Sequence, residues 1–305
     1  MKKKSVIICV ILTCLVVLCS VTIASAVNSK LKLVSDSDQN KICEELYTCI
    51  VPSDVSLSKA TESALIEHAN SHVATYYAEK DALIEKDDPI TISCYYDNTI
   101  LQEFYEIQQE EYTISLAKDY SLRAFSDDSF DYDLTTSKSK KDAQEYILDF
   151  YKKSSLDENY ELAYLEPFGD NLWEAVFAKK VDGLYNFYDS SKIFFCPTQR
   201  KIATLRVHST EYHESKNLTS SSNVTEQEAK NIVANSFVGT DKIIINSAEL
   251  TLTKPNNFFT RQSGSDIIAE NIVVKAWRVE VVNEHIYSVF VDYTTGNIIG
   301  GDQIK

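Results

Sequence analysis

Glycine and proline are scarce, 7 and 5 in 305 residues. That excludes collagen-like and Gly/Pro-rich low-complexity chains, and it leaves little material for phosphate-cradling or dinucleotide-binding glycine loops. Positive charge is also short: 30 Lys and Arg stand against 45 Asp and Glu, a formal net charge of −15. Lys2, Lys3 and Lys4 sit at the extreme N-terminus, so the remainder is more acidic still. A polyanion gains nothing by releasing counterions from phosphates, which excludes nucleic acid as a partner. There is no Cys-x-x-Cys pair, no Cys/His cluster of zinc spacing and no Gly-x-Ser-x-Gly elbow. What the chain does contain is 44% hydrophobic residues, with 18 Tyr and 13 Phe, enough to build a sizeable core. Its length suits one large domain or two to three small ones.

Met1 to Ser5 carries three lysines, and Val6 to Val27 follows without a charge. The basic start, the Leu/Ile/Val/Cys-rich run and the small residues Ala24, Ser25 and Ala26 read as an export signal cleaved after Ala26. Residues 6–27 also reach the length of about 20 apolar residues that spans a bilayer. A transmembrane signal-anchor therefore stands beside the cleaved signal, with lipidation at Cys19 third because Leu18 spoils the lipobox. With the lysines kept inside, each form places the body outside the cytoplasm, secreted or anchored to the outer face of the cell membrane. Beyond the leader remain Cys43, Cys49, Cys94 and Cys196; export permits disulfides, Cys43–Cys49 being the most local pairing, but a chain this long does not need them.

Region 28–136 reads as mainly helical and of unassigned fold. Asp54 to Asp88 is a polar-apolar stretch closed by Pro89, and Asn98 to Glu111 suits a second helix. Ile90 to Tyr96 is β-rich, Tyr112 to Phe125 has room for a strand, and the acidic run from Ser126 to Asp133 marks a boundary. After it the chain repeats itself. Ser139-Lys-Lys-Asp142 and Thr225-Glu-Gln-Glu228 are both capping boxes. Ala143, Tyr146, Ile147, Phe150 and Tyr151 then match Ala229, Ile232, Val233, Ser236 and Phe237, each set giving a helix one apolar stripe. Strands with a single tryptophan come after each helix, Trp173 in one copy and Trp277 in the other. Tyr293 to Gly296 turns the chain between two of them. The second copy is longer by an insertion near Lys254 to Glu270, and polar residues 209–223 link the copies. The division is 1–27 leader, 28–136, 137–208, 209–223 and 224–305. The fold class is α+β, two units of one helix on a small antiparallel sheet following the N-terminal region.

Thr225-Glu-Gln-Glu-Ala229, Ala276-Trp-Arg-Val-Glu-Val281 and Val289-Phe-Val-Asp-Tyr-Thr-Thr-Gly-Asn-Ile298 resemble the PepSY domain, and residues 137–208 look like a degenerate copy. In that copy Cys196-Pro-Thr-Gln-Arg200 stands where the Val-Asp-x-x-Thr-Gly hairpin belongs, with Arg200 in place of the glycine. The resemblance implies an envelope protein of Gram-positive bacteria, built from non-catalytic modules that bind or inhibit peptidases and wall hydrolases. It covers 137–305 and does not reach 28–136.

Candidate chemistry elsewhere is thin. His68 and His72 lie one helical turn apart, but Ala69 occupies the place where a zinc protease needs its glutamate, and Glu67 precedes. His208, His213 and His285 adjoin no nucleophile. Ser56 with Lys59 and Ser137 with Lys140 each satisfy Ser-x-x-Lys without the Ser-Asp-Asn and Lys-Thr-Gly elements of that enzyme class. Asp127, Asp128, Asp131 and Asp133 lack the glycine and distal glutamate of a calcium loop. Trp173 and Trp277 read as core anchors. No catalytic, cofactor or metal residue is assigned. The expectation is an exported, non-enzymatic regulator of an envelope peptidase or wall hydrolase that binds through a sheet edge, with hairpin 286–299 and the insertion as first surfaces. A membrane-anchored sensor or assembly partner is the alternative, and a hydrolase housed in 28–136 comes last.

Overall fold

The computed structural model describes residues 50–53, 56–76, 84, 89–97, 102–110, 112–127, 130, 139–154, 156, 158–168, 172–208, 213–214, 223–237, 243–256, 258, 272–282 and 286–303. They form an α+β fold, helices laid on a large mixed sheet, in which one pattern occurs three times: a helix, then four antiparallel strands in a meander. The first unit is α1 (Lys59–Tyr76) with β2 (Thr91–Asp97), β3 (Gln102–Gln108), β4 (Tyr112–Ala117) and β5 (Leu122–Asp127), preceded by β1 (Ile50–Pro52). The second is α2 (Lys140–Lys153) with β6 (Tyr160–Phe168), β7 (Leu172–Val181), β8 (Leu184–Cys196) and β9 (Lys201–His208). After the short β10 (His213–Glu214), the third is α3 (Glu226–Ser236) with β11 (Ile244–Thr253), β12 (Ile272–Val282), β13 (Ile286–Asp292) and β14 (Ile298–Gln303).

Local chemistry starts each helix in the same way. The Ser58, Ser139 and Thr225 side chains accept from the N–H groups of Thr61, Asp142 and Glu228, at 3.1, 3.2 and 3.3 Å. Asp142 and Glu228 complete capping boxes by reaching back to the cap backbone. Each helix then buries a stripe at i, i+4: Leu65, Ala69 and Val73 in α1, Ala143, Ile147 and Tyr151 in α2, Ala229 and Val233 in α3. Full burial of a branched side chain such as Ile147 stabilises by roughly 1.5–3 kcal/mol.

The sheets repeat down to register. Tyr105 pairs with Leu116 and Leu116 with Leu122; Trp173 with Phe195 and Phe195 with Ile202; Trp277 with Val291 and Val291 with Ile298. One residue before Leu116, Phe195 and Val291, the ladder to the fourth strand shifts register in all three. The next hairpin contains a left-handed residue each time: Tyr120 (φ 67°), Arg200 (φ 53°) and Gly296 (φ 73°). Each meets its helix. Tyr120 stacks on His68 at 4.9 Å, Arg200 sits 5.5 Å from the Tyr146 ring, and a Cβ on Gly296 would lie 3.1 Å from Ile232.

Three expectations change. Region 28–136 is not mainly helical: its described residues hold one helix and five strands, and the helix expected over Asn98–Glu111 is instead β3, where Tyr105 and Ile107 alternate inward. The two units do not keep separate small sheets. All fourteen strands join into one, because β5 pairs with β9 and β8 with β11. The transmembrane expectation is corrected as well: among the described residues no helix is long and apolar enough to cross a membrane. Residues 6–27 lie outside the described residues.

The β5–β9 pairing aligns two units into one surface. Ile92, Ile107, Ile114, Phe125, Leu205, Ile193, Ala175 and Leu165 are successive cross-strand partners over eight strands, an apolar row beneath α1 and α2. Ser93, Glu106, Ser115, Ala124, Arg206, Lys192, Val176 and Tyr164 form the parallel row on the opposite, helix-free face. The third unit joins at a short contact, the ladder pair Leu252–Asn186 beside a hydrogen bond from Thr251 to the Tyr185 carbonyl (2.7 Å), and lays its own helix-free face across Tyr164 and Lys192 through Arg278 and Asp302.

Candidate interaction edge

Three four-stranded units have six sheet edges, and among the described residues five are met, along part or most of their length, by another strand or a single residue. Pairing of Ile50–Pro52 with Tyr95–Asp97 covers β2. Strands β5 and β9 pair with each other, and β11 meets β8 at its C-terminal end, through the pair Leu252–Asn186. The outer edge of β14 is covered by one residue: Asn256 donates its backbone N–H to the Ile299 carbonyl (2.9 Å) and its side-chain amide to the Gly301 carbonyl (2.9 Å), while its Oδ1 accepts from the Gly301 N–H (3.0 Å). The sixth edge is β6, which among the described residues has β7 as its one ladder partner. A one-sided strand presents backbone donors and acceptors to any extended segment that approaches.

The sequence of β6 controls that edge. A register shift between Leu162 and Tyr164 twists it, and Pro167 removes a donor near its end; both devices discourage indiscriminate strand pairing. Leu165 points into the core. Glu161 pairs with Lys180 at 2.9 Å and Glu166 with Lys140 at 2.6 Å. The hydrogen bond from Lys180 to Glu161 holds the lysine pKa above its ordinary value. Exposed pairs of this kind contribute little to folding and exchange partners readily. On the other face, Arg278 lies 5.3 Å from the Tyr164 ring and 4.9 Å from that of Phe187, and burial, helped by Glu174, raises the Tyr164 pKa and keeps the phenol neutral.

The helix-free seam is polar and paired. Lys192 contacts Glu174 at 3.1 Å and Asp302 at 3.6 Å, and Arg278 Nε donates to Ser288 Oγ at 2.9 Å. A shallow depression of about 260 Å³ lies on α2, lined by Asp142, Glu145, Tyr146, Asp149, Pro197 and Arg200. Its carboxylates have structural roles: Asp142 caps the helix and Asp149 binds Lys153 at 2.7 Å.

The residues singled out in the sequence do not converge. His68 is exposed against Tyr120, whereas His72 is buried, and burial lowers its pKa. Among the described residues no group of three or more His, Cys, Asp or Glu could hold a metal. His208 ends β9, His213 lies in β10, and His285 is outside the described residues. Ser56 is exposed ahead of α1, whose cap is Ser58; Ser137 is outside the described residues. Asp127 is buried 3.7 Å from Lys201, and Asp128, Asp131 and Asp133 are outside the described residues. Cys94 and Cys196 are buried as thiols, while Cys43 and Cys49 are outside. Trp173 is in the core, and Trp277 donates its indole N–H to the Val224 carbonyl (2.7 Å), pinning the entry to α3. Hairpin 286–299 and the insertion, the surfaces expected first, meet at Asn256; residues 259–271 lie outside the described residues. Neither the β6 edge nor Asn256 stands out in the sequence. A bulge flanked by Pro167 and paired glutamates is the only local sign of the former.

No protein-family model and no curated protein sequence matches the chain. Solved structures similar to it include the C-terminal domain of YpeB from Bacillus megaterium, 14% identical, covering 82% of this chain and 98% of that one, with a TM-score of 0.42. An uncharacterized protein from Eubacterium rectale is likewise 14% identical, covering 83% of this chain and 82% of that one, with a TM-score of 0.29.

Proposed function

We propose that the chain is an extracytoplasmic, non-catalytic binding protein that regulates an envelope peptidase or cell-wall hydrolase, and that 137–208 and 224–305 act as PepSY-like units within it. The observation that supports this reading is the edge of β6, which among the described residues has a ladder partner on one side only. Added to β6, an extended segment of a partner pairs main chain to main chain, covering an enzyme groove or sequestering a loop without any chemistry of its own. The PepSY-like motifs between Thr225 and Ile298 point to the same class of target. The test is a pull-down from envelope extracts with residues 28–305, comparing the native chain with Ala163→Pro, which removes an N–H at the bulge. Retention of a peptidase or wall hydrolase by the native chain and its loss from Ala163→Pro is the expected result. If the two capture the same proteins, or neither retains such an enzyme, the proposal fails. Charge reversal by Glu161→Lys with Glu166→Lys supplies a second comparison that spares the backbone.

A further inference from the structure

Asn256 is more than a loop residue resting on a strand. Its side-chain amide and its backbone N–H together offer β14 the donors and acceptor that two residues of a neighbouring strand would offer, at Ile299 and Gly301. The fit depends on glycine: a Cβ on Gly300 would lie 2.5 Å from the Asn256 Oδ1 and 2.8 Å from its backbone nitrogen. Two residues on, Phe258 donates its N–H back to the Asn256 Oδ1 (3.1 Å) and sets its ring 6.4 Å from that of Tyr287 on β13. Ahead of it, Lys254 stands 5.4 Å over the Tyr188 ring of β8. The segment thus meets the edge of β14 through the backbone and side chain of one residue, Asn256, flanked by ring contacts of Lys254 and Phe258.

From this geometry we infer that the outer edge of β14 is a second strand-acceptor site, whose resident occupant is the segment 254–258. The partner it fits is an extended peptide that places an Asn two residues before an aromatic, because those groups satisfy Ile299, Gly301 and Tyr287. The inference is independent of β6, since it concerns a different unit and a different edge.

Two measurements on residues 28–305 test it. In Asn256→Ala, the Gly301 amide loses its acceptor, so its hydrogen exchange accelerates by about tenfold or more while amides at the β12–β13 pairing stay protected. A fluorescent peptide with the sequence of Thr253–Phe258 then binds Asn256→Ala and binds the native chain at least about tenfold more weakly, since the resident segment competes as a tethered ligand. Asn256→Asp, which keeps the acceptor for Gly301 but loses the donor to its carbonyl, falls between the two and substitutes if the alanine variant does not fold. Unchanged exchange at Gly301 overturns the inference. So does faster exchange without peptide binding, which makes Asn256 an edge guard and nothing more.

Discussion

The first two units and the third solve the same packing problem differently. Units one and two share a single core, in which Leu65, Ala69, Phe125, Ile147, Phe177, Phe195 and Leu205 are one cluster. The third keeps a small core of its own: Ala229 and Val233 from α3 against Val279, Val281, Val289 and Val291. The cause is register. Antiparallel pairing of Phe125 with Leu205 brings two apolar rows into line, so helices α1 and α2 cover one surface. The short β8–β11 contact aligns no apolar rows, and the third unit meets the others across a polar seam around Lys192 and Arg278. Sharing an edge that aligns apolar rows fuses cores; a short contact at Leu252–Asn186 and Thr251–Tyr185 does not. The sharpest break in this comparison comes from unfolding in urea, where two transitions are expected, one for the fused pair and one for the third unit. Ile147→Ala lowers the first by about 2–5 kcal/mol and leaves the second in place. Val279→Ala does the reverse. A single transition shifted by both variants contradicts separate cores.

The same comparison explains what was legible in the sequence. Ser139 with Asp142 and Thr225 with Glu228 announced two helices, and the stripes after them named the buried faces, because caps and periodicity are local. The unit at 58–127 was hidden, although its strands repeat the others register for register. Tyr105 stands where the others have tryptophan, Tyr120 where one has glycine, and Thr61 where both have a carboxylate. Its hairpin also closes one residue sooner, Ala117 N–H to Ser121 O rather than Asp292 N–H to Asn297 O. The fold asks only for a bulky ring, a left-handed residue and a hydroxyl cap at those places, so residue identity changes while geometry persists. Pairing between distant edges, β5 with β9 or Asn256 with Gly301, has no local signature to find. That is why both the continuous sheet and the candidate edge emerged only in three dimensions.

Exchange of the turn residues sharpens the contrast between units two and three. A non-glycine residue in the left-handed region costs about 1–2 kcal/mol. In Gly296→Ala that cost adds to a new Cβ 3.1 Å from Ile232, so the third unit's transition falls by at least that much. Arg200→Gly relieves the same strain in unit two but gives up the guanidinium over Tyr146, and its transition rises by less than Gly296→Ala lowers the other. A rise in Arg200→Gly of the full left-handed cost, about 1–2 kcal/mol, would show that the Arg200–Tyr146 contact contributes nothing.

The smallest difference lies in the two capping boxes and is read by pH. Asp142 reaches the Ser139 N–H at 3.4 Å, whereas the longer side chain of Glu228 reaches the Thr225 N–H and hydroxyl, both at 2.8 Å. These bonds, backbone first, hold the Glu228 pKa below its ordinary 4.5. A carboxyl depressed in the folded state stabilises fully above its unfolded pKa, and that contribution disappears as pH falls through the folded one. The third unit's transition therefore loses a small part of its stability on acidification below about 4.5, and Glu228→Gln removes that part of the slope while leaving the fused pair unaffected. Asp142→Asn, at a longer and weaker bond, lowers its own transition in urea less than Glu228→Gln lowers that of the third unit. Equal losses in the two variants would mean that the extra methylene of Glu228 makes no difference to the cap.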